Sequence, residues 1–288
     1  MIDMKISEIL KSKTVTVSCE LFPPKVGSEL ANTQQIVREI AAYKPSFMSV
    51  TYGAGGTNSH NTLRVAEEVL ASGVTALAHL TCVGQDEEKL RRSIADFKAS
   101  GIENILALRG DIPAGQTAPE IFPHASDLIE AIRREGDFCI GGACYPEGHP
   151  ESYYSEADIE GVCRKVKSGC EFLTTQMFFD NNILYSYMFK LLKHGVDVPV
   201  IAGIMPVTNA KQIKRIGGLS GTALPPRFRA IVDRFADHPE AMKQAGIAYA
   251  TEQIIDLIAN DVTHIHIYTM NRPDIAGSIM TNLSKIID

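Results

Sequence analysis

Asn104-Ile105-Leu106-Ala107-Leu108-Arg109-Gly110-Asp111 opens as a continuous apolar run and closes, without a spacer, on a cation, a glycine and a carboxylate. The run has the pattern of a strand buried on both faces, as parallel sheets require. An apolar strand that stops on charged groups at its carboxyl end is how an α/β enzyme presents a site. Seven further apolar or β-branched runs repeat the arrangement, at 14–22, 47–53, 75–82, 138–146, 172–179, 199–206 and 264–270.

Segments with helical spacing lie between these runs. Ile36, Ile40 and Tyr43 share one face of the first, Leu63, Ala66, Val69 and Leu70 of the second, and Leu90, Ile94 and Phe97 of the third. Gly73, Gly101, Gly169 and Gly195 each follow a helical pattern and precede the next strand, the place of a helix-ending glycine. Strand starts recur every 27 to 34 residues until the last gap, which is twice as long and holds an extra helical segment around 225–236. Eight βα units in 288 residues, close to the typical ~250, predict a (β/α)8 TIM barrel. The expectation is one domain over 1–288, with a helical insert before the last strand. A doubly wound open sheet is the alternative. It usually has fewer strands and often a glycine phosphate fingerprint after the first, where this chain has Phe22-Pro23-Pro24-Lys25.

A hydrophobic content of 45% with 22% charged residues excludes disorder, and a net charge of -6 argues against a nucleic-acid protein. The start, Met1-Ile2-Asp3-Met4-Lys5-Ile6-Ser7, lacks a signal pattern, and the most apolar run, 198–206, is too short and too Pro-bounded to span a bilayer. A cytoplasmic location is expected. The six cysteines show no C-x-x-C spacing and read as buried reduced thiols.

In a barrel all strand carboxyl ends face one side. Those ends carry Glu20, Thr51-Tyr52, His79 with Thr81, Arg109 with Asp111, Tyr145, Gln176, and Tyr268 with Arg272 just beyond. A polar group bracketed by apolar strand costs about 1–3 kcal/mol if unpaired, so nearly one per strand at the same end implies a concave site for a polar ligand. Glu20, between Cys19 and Leu21, reads either as a general acid kept protonated by apolar walls or as a carboxylate paired with a cation such as Arg109. Gly53-Ala54-Gly55-Gly56 reads as a tight turn before it reads as a phosphate cradle. His79, Cys82, Cys144 and His149 match no usual ligand spacing, so no metal is expected. No lysine ends an apolar strand, which disfavours a Schiff-base aldolase. Arg164 and Lys165, one turn after Asp158, read as a solvated helix face or as a pyrophosphate contact, with the face favoured by spacing alone.

Ser18-Cys19-Glu20-Leu21-Phe22-Pro23-Pro24-Lys25, Val50-Thr51-Tyr52-Gly53-Ala54, Ala78-His79-Leu80-Thr81-Cys82 and Leu108-Arg109-Gly110-Asp111 resemble methylenetetrahydrofolate reductase, bacterial catalytic-domain type. So do Tyr145-Pro146-Glu147-Gly148-His149-Pro150-Glu151, Thr175-Gln176-Met177-Phe178-Phe179-Asp180, Gly203-Ile204-Met205-Pro206 and Tyr268-Thr269-Met270-Asn271-Arg272. Eight motifs in register cover nearly the whole chain. The resemblance implies a flavin-bearing barrel that reduces 5,10-methylenetetrahydrofolate to 5-methyltetrahydrofolate with NADH or NADPH, in ping-pong fashion through FAD. It implies Glu20 as proton donor to folate N10 and Asp111 as the carboxylate beside pterin and flavin. Gln176, Gln212, Tyr268 and Arg272 correspond to the folate side, with Gln176 and Thr51 also on the nicotinamide side. Tyr52, Ala54, His79, Arg109, Gly110, Asp111, Ala125, Tyr145, His149, Asp158, Arg164 and Lys165 correspond to the FAD set.

The chain departs from the family pattern at three places. The loop Gly55-Gly56-Thr57-Asn58-Ser59 carries little charge, Gly161 offers only backbone, and Ile216 supplies bulk without stacking. The sequence stops with the barrel, so inhibition by adenosylmethionine, which a further region binds in eukaryotic relatives, is not expected. Relatives often associate, which makes a homo-oligomer an expectation by resemblance. The rival readings are a partner-dependent subunit fed electrons by another protein and a lyase or aldolase on the same barrel.

Overall fold

The computed structural model describes residues 4–12, 14–24, 29–52, 59–112, 115, 117–149, 151, 155–213 and 222–287. The strands are β1 (Thr16–Leu21), β2 (Met48–Val50), β3 (Ala76–Thr81), β4 (Asn104–Leu108), β5 (Cys139–Cys144), β6 (Phe172–Thr175), β7 (Val200–Ile204) and β8 (His264–Tyr268). They pair in parallel in sequence order, and β8 returns to β1, closing the barrel and excluding the open sheet. Closure sets Glu20 level with Ser49 on one side and Tyr268 on the other.

The helices described are α1 (Ile6–Ser12), α2 (Leu30–Ala41), α3 (Ser59–Ala71), α4 (Glu87–Ala99), α5 (Ala125–Glu135), α6 (Ser155–Lys167), α7 (Asn181–Lys193), α8 (Pro226–Phe235), α9 (Pro239–Ala259) and α10 (Pro273–Leu283). The anticipated insert is α8, and α9 completes the long last crossover. Local chemistry sets the ends. Asp86 caps α4 by accepting the Lys89 N–H at 2.8 Å, Glu87 and Glu88 sit in its first turn, and Leu90, Ile94 and Phe97 are its buried stripe. The helix stops before Gly101, whose φ of +75° favours glycine.

Why the strand runs look apolar throughout becomes clear in cross-section. Alternate residues such as Val17, Cys19, Leu21, Ile105, Ala107, Ile265 and Ile267 pack outward in one layer with helical Val37, Ile94, Ile132 and Ile254. The opposite parity fills the barrel. At its amino end Phe47, Leu77, Leu106, Phe172 and Ile201 form a separate apolar cluster with Ile6, Ile9 and Leu10 of α1, which plugs the barrel floor. Gly141 leaves room for this cluster, since a Cβ there would lie 2.4 Å from the Phe172 ring. The plug is fixed by polar contacts: Asn104 Oδ1 accepts the Ile6 N–H at 2.8 Å, and Lys5 pairs with Asp137 at 2.7 Å.

All six cysteines are free thiols, and all but Cys163 are buried. Among the described residues, no helix is long and apolar enough to cross a membrane.

Candidate active site

Above the apolar floor the inward positions turn polar, and a cavity of about 1210 Å³ opens at the carboxyl ends of the strands. Every strand contributes through itself or the loop that follows it: Glu20, Thr51 and Tyr52, His79, Arg109 to Asp111, Tyr145, Gln176, Met205, and His266 with Tyr268. The first residues of α5 and one face of α6 complete the wall.

Glu20 is 8% exposed, and burial pushes its carboxyl up to about 8. Its basic neighbour is His79, with Nε2 at 3.9 Å from the carboxylate, too long for a hydrogen bond. His79 is itself buried, which holds its imidazole down to about 3 and therefore neutral. Pairing of Glu20 with Arg109 is overturned. The guanidinium is turned away into a two-pronged pair with Glu151, at 2.6 and 2.8 Å. An acid walled by neutral groups keeps its proton near neutral pH.

Beneath Glu20 a second histidine is locked in one tautomer. Ser18 Oγ donates to the Ile265 carbonyl at 2.9 Å, which commits its proton. His266 Nδ1, 2.7 Å from that oxygen, is therefore the donor, and Nε2 accepts from Ser49 Oγ at 3.1 Å. Burial holds this ring also down to about 3. Tyr268 crosses the barrel, its hydroxyl donating to the Thr175 carbonyl at 2.5 Å. It passes over Gly203, where a Cβ would lie 2.6 Å from the hydroxyl.

Across the cavity, Arg109 and Asp111 flank Gly110, whose φ is +83° and whose added Cβ would meet Thr81 at 3.0 Å. Tyr145 stands edge-on to His149 at 4.7 Å, and burial pushes its phenol up to about 12. The His149 N–H donates to Asp158 at 2.6 Å. Lys165 reaches in from α6 to donate to the Ala143 carbonyl, and burial lowers its pKa. Arg164 and Gly161 line the cavity beside it, so the solvated-face reading of Arg164-Lys165 gives way. Lys165 also places in the site an amine that the strand ends do not supply. Arg109, Arg164 and Lys165, with Ala125 at the amino end of α5, are the groups able to hold phosphate.

Other expected residues have different settings. Gln176 lines the cavity while its Oε1 accepts the Met177 N–H at 3.0 Å. The Tyr52 hydroxyl meets Gln85 Nε2 at 2.9 Å. Gln212 is outside the described cavity lining, its Oε1 accepting the Thr208 N–H at 3.1 Å. Arg272 is likewise outside it and chelates Asp274 at 3.0 and 2.9 Å. Ala54, the rest of the 53–58 loop and Ile216 fall outside the described residues. Sequence reasoning missed His266, Ser126 and Glu151. The alternation in His264-Ile265-His266-Ile267-Tyr268 was the signal for the first. Among the described residues no three His, Cys, Asp or Glu side chains converge as a metal site.

Residues 5–284 match the family described as methylenetetrahydrofolate reductase. The 5,10-methylenetetrahydrofolate reductase of Escherichia coli (strain K12) is 33% identical over 270 residues, covering 93% of this chain and 90% of the relative. Methylenetetrahydrofolate reductase (NADH) 1 of Arabidopsis thaliana is 34% identical over 305 residues, covering 98% of this chain and 51% of that protein. The chain thus spans about half the length of the plant relatives it matches and nine tenths of the enterobacterial ones. In structure, an uncharacterized protein from Clostridium thermocellum that binds two copies of 5-methyl-5,6,7,8-tetrahydrofolic acid superposes with a TM-score of 0.66 over 98% of both chains. Its identity of 14% makes this a likeness of fold. With a closed eight-strand barrel, a buried acid at the first strand end and a match running through nearly every residue, the chain belongs to the methylenetetrahydrofolate reductase family.

Proposed function

We propose that this chain reduces 5,10-methylenetetrahydrofolate to 5-methyltetrahydrofolate, with FAD held in the barrel cavity and NADH or NADPH as electron donor. The observation that carries the reading is Glu20, an acid with its pKa pushed to about 8, facing the same cavity as Arg109 and Asp111.

The residues present fit the flavin. The cavity's 1210 Å³ exceeds the about 300–1,000 Å³ of an ordinary small-molecule pocket, leaving room for a cofactor and a substrate together. His79 Nε2 is buried without a hydrogen-bond partner and so offers a polar contact to a ring. Arg109, Arg164 and Lys165 would hold the pyrophosphate, with Tyr52, Gly110, Tyr145, His149 and Asp158 around it. Bound there, FAD would supply hydride transfer between nicotinamide and folate.

The chain's own part is acid chemistry and electrostatics. Glu20 holds a proton at neutral pH and delivers it to N10 of the folate, opening the five-membered ring. The Asp111 carboxylate stabilises the positive charge that develops on the substrate. Gln176, and Tyr268 from the strand beside Glu20, orient the folate. A single cavity serves donor and folate in turn, so reciprocal plots should be parallel.

The test is anaerobic mixing of the purified protein with NADH or with NADPH. Flavin bleaching by one of them, followed by recolouring and 5-methyltetrahydrofolate formation on adding the folate, is the expected result. A colourless preparation that takes up no FAD would end the proposal. Bleaching only when a second protein is supplied would move the reading to a partner-dependent subunit.

A further inference from the structure

We infer that Glu151 is an anionic stand-in for phosphate on Arg109, and that by competing for this guanidinium it sets how tightly the cavity holds its cofactor. The inference rests on the proposed FAD reading and adds a residue to which that reading gives no role.

Arg109 leaves the end of β4 with its side chain only 25% exposed and both terminal nitrogens bonded to one carboxylate, at 2.6 and 2.8 Å. This fork geometry is the one a guanidinium uses for carboxylate and phosphate alike. Any anion that reaches Arg109 from the cavity therefore meets a fork already engaged. The engaging carboxylate is the more exposed member of the pair. Glu151 sits on the loop between β5 and α6 with its side chain 58% exposed, so water can take it over at little cost. Its backbone is tethered meanwhile, because the Glu151 N–H donates to His149 Nδ1 at 3.1 Å and His149 is held by Asp158 and Tyr145. A displaced carboxylate whose own backbone N–H is held in this way stays within reach and continues to compete.

Electrostatics act in the same direction. The cavity wall carries Arg109, Arg164 and Lys165 against Asp111, Asp158 and Glu151. Asp158 is engaged by the His149 N–H, whereas Glu151 occupies the guanidinium fork of Arg109. Removing its charge frees the fork and removes a repulsion.

The experiment titrates flavin-free protein with FAD, followed by fluorescence quenching, and with inorganic pyrophosphate, followed by calorimetry. Glu151→Gln and Glu151→Ala should bind both probes about two- to five-fold tighter than the unaltered chain, the scale of an exposed pair. Glu160→Gln, an exposed acid on α6, removes the same charge away from Arg109 and should leave both affinities unchanged. Unchanged or weaker binding by the Glu151 variants overturns the inference, and so does an equal gain in Glu160→Gln. If the unaltered chain binds pyrophosphate but no FAD, the cofactor reading fails, and a gain for pyrophosphate still supports competition at Arg109. Failure to bind either probe overturns both.

Discussion

Glu20 shows how little a residue's identity says until its surroundings are known. The same carboxylate beside Arg109 would be an anion at neutral pH; walled by neutral His79 and apolar strand, it is an acid with a pKa of about 8. Glu20→Gln should therefore lower folate reduction by about 10²–10⁴-fold, the usual worth of a positioned proton donor, while oxidation of NADH or NADPH by an artificial acceptor stays nearly intact. Stopped-flow measurement of the two half-reactions checks this, and equal loss in both would make Glu20 structural. In the unaltered chain the folate half-reaction should slow as pH rises through about 8, because the donor loses its proton there. Arg109 is the complementary case. Its partner is Glu151, forty-two positions away, and the pair already engages the guanidinium fork that a phosphate would use.

Among the elements, the seven-residue α1 carries the clearest consequence. It is too short to stand by itself and owes its helical form to the barrel floor, where Ile6, Ile9 and Leu10 meet Leu77, Leu106 and Phe172. Asn104, at the entrance of β4, accepts the Ile6 N–H and donates to the Ala76 carbonyl at 3.2 Å, joining plug to sheet. Asn104→Ala strands the buried Ile6 N–H, removes the side-chain bond to the Ala76 carbonyl and should destabilise the protein by about 1–3 kcal/mol. Urea unfolding measures this, and a variant as stable as the parent would show that α1 contributes nothing through that contact. The cavity lies at the other end of the strands, so flavin binding should survive the substitution.

For the whole molecule, the buried ionisable groups shape stability against pH. His79 and His266 are held down to about 3 in the fold, against 6.5 when exposed, so the stability they contribute is present above 6.5 and lost as pH falls toward 3. Glu20 is raised from 4.5 to about 8, so its contribution is present below 4.5 and lost as pH rises toward 8. Each group changes stability by about 1.4 kcal/mol per pH unit inside its window. Two histidines outweigh one glutamate below 6.5 and only the glutamate acts above it, so these three groups place the optimum near 6.5. Urea midpoints at pH 6.5 and 8 should fall for the parent and stay level for Glu20→Gln, and parallel declines in both would refute the assignment.

What the sequence determined by itself was the βα order and its period, though not the short helix α1. The eight apolar runs, the helix-ending glycines, the α8 insert and the polar residue at nearly every strand end follow from spacing, because helices and strands bury one stripe or face at fixed intervals. The strand-end residues Glu20, His79, Arg109-Gly110-Asp111 and Gln176 all line the cavity. Only the tertiary structure decided who partners whom. Closure of β8 onto β1 puts His266 between Ser18 and Ser49, the β5–α6 loop brings Glu151 to Arg109, and helix α6 turns Lys165 into the wall. These contacts join residues that lie far apart in sequence, and desolvation is a property of the assembled cavity. No local pattern encodes either one, and on them rest both the raised pKa of Glu20 and the pairing of Arg109 with Glu151.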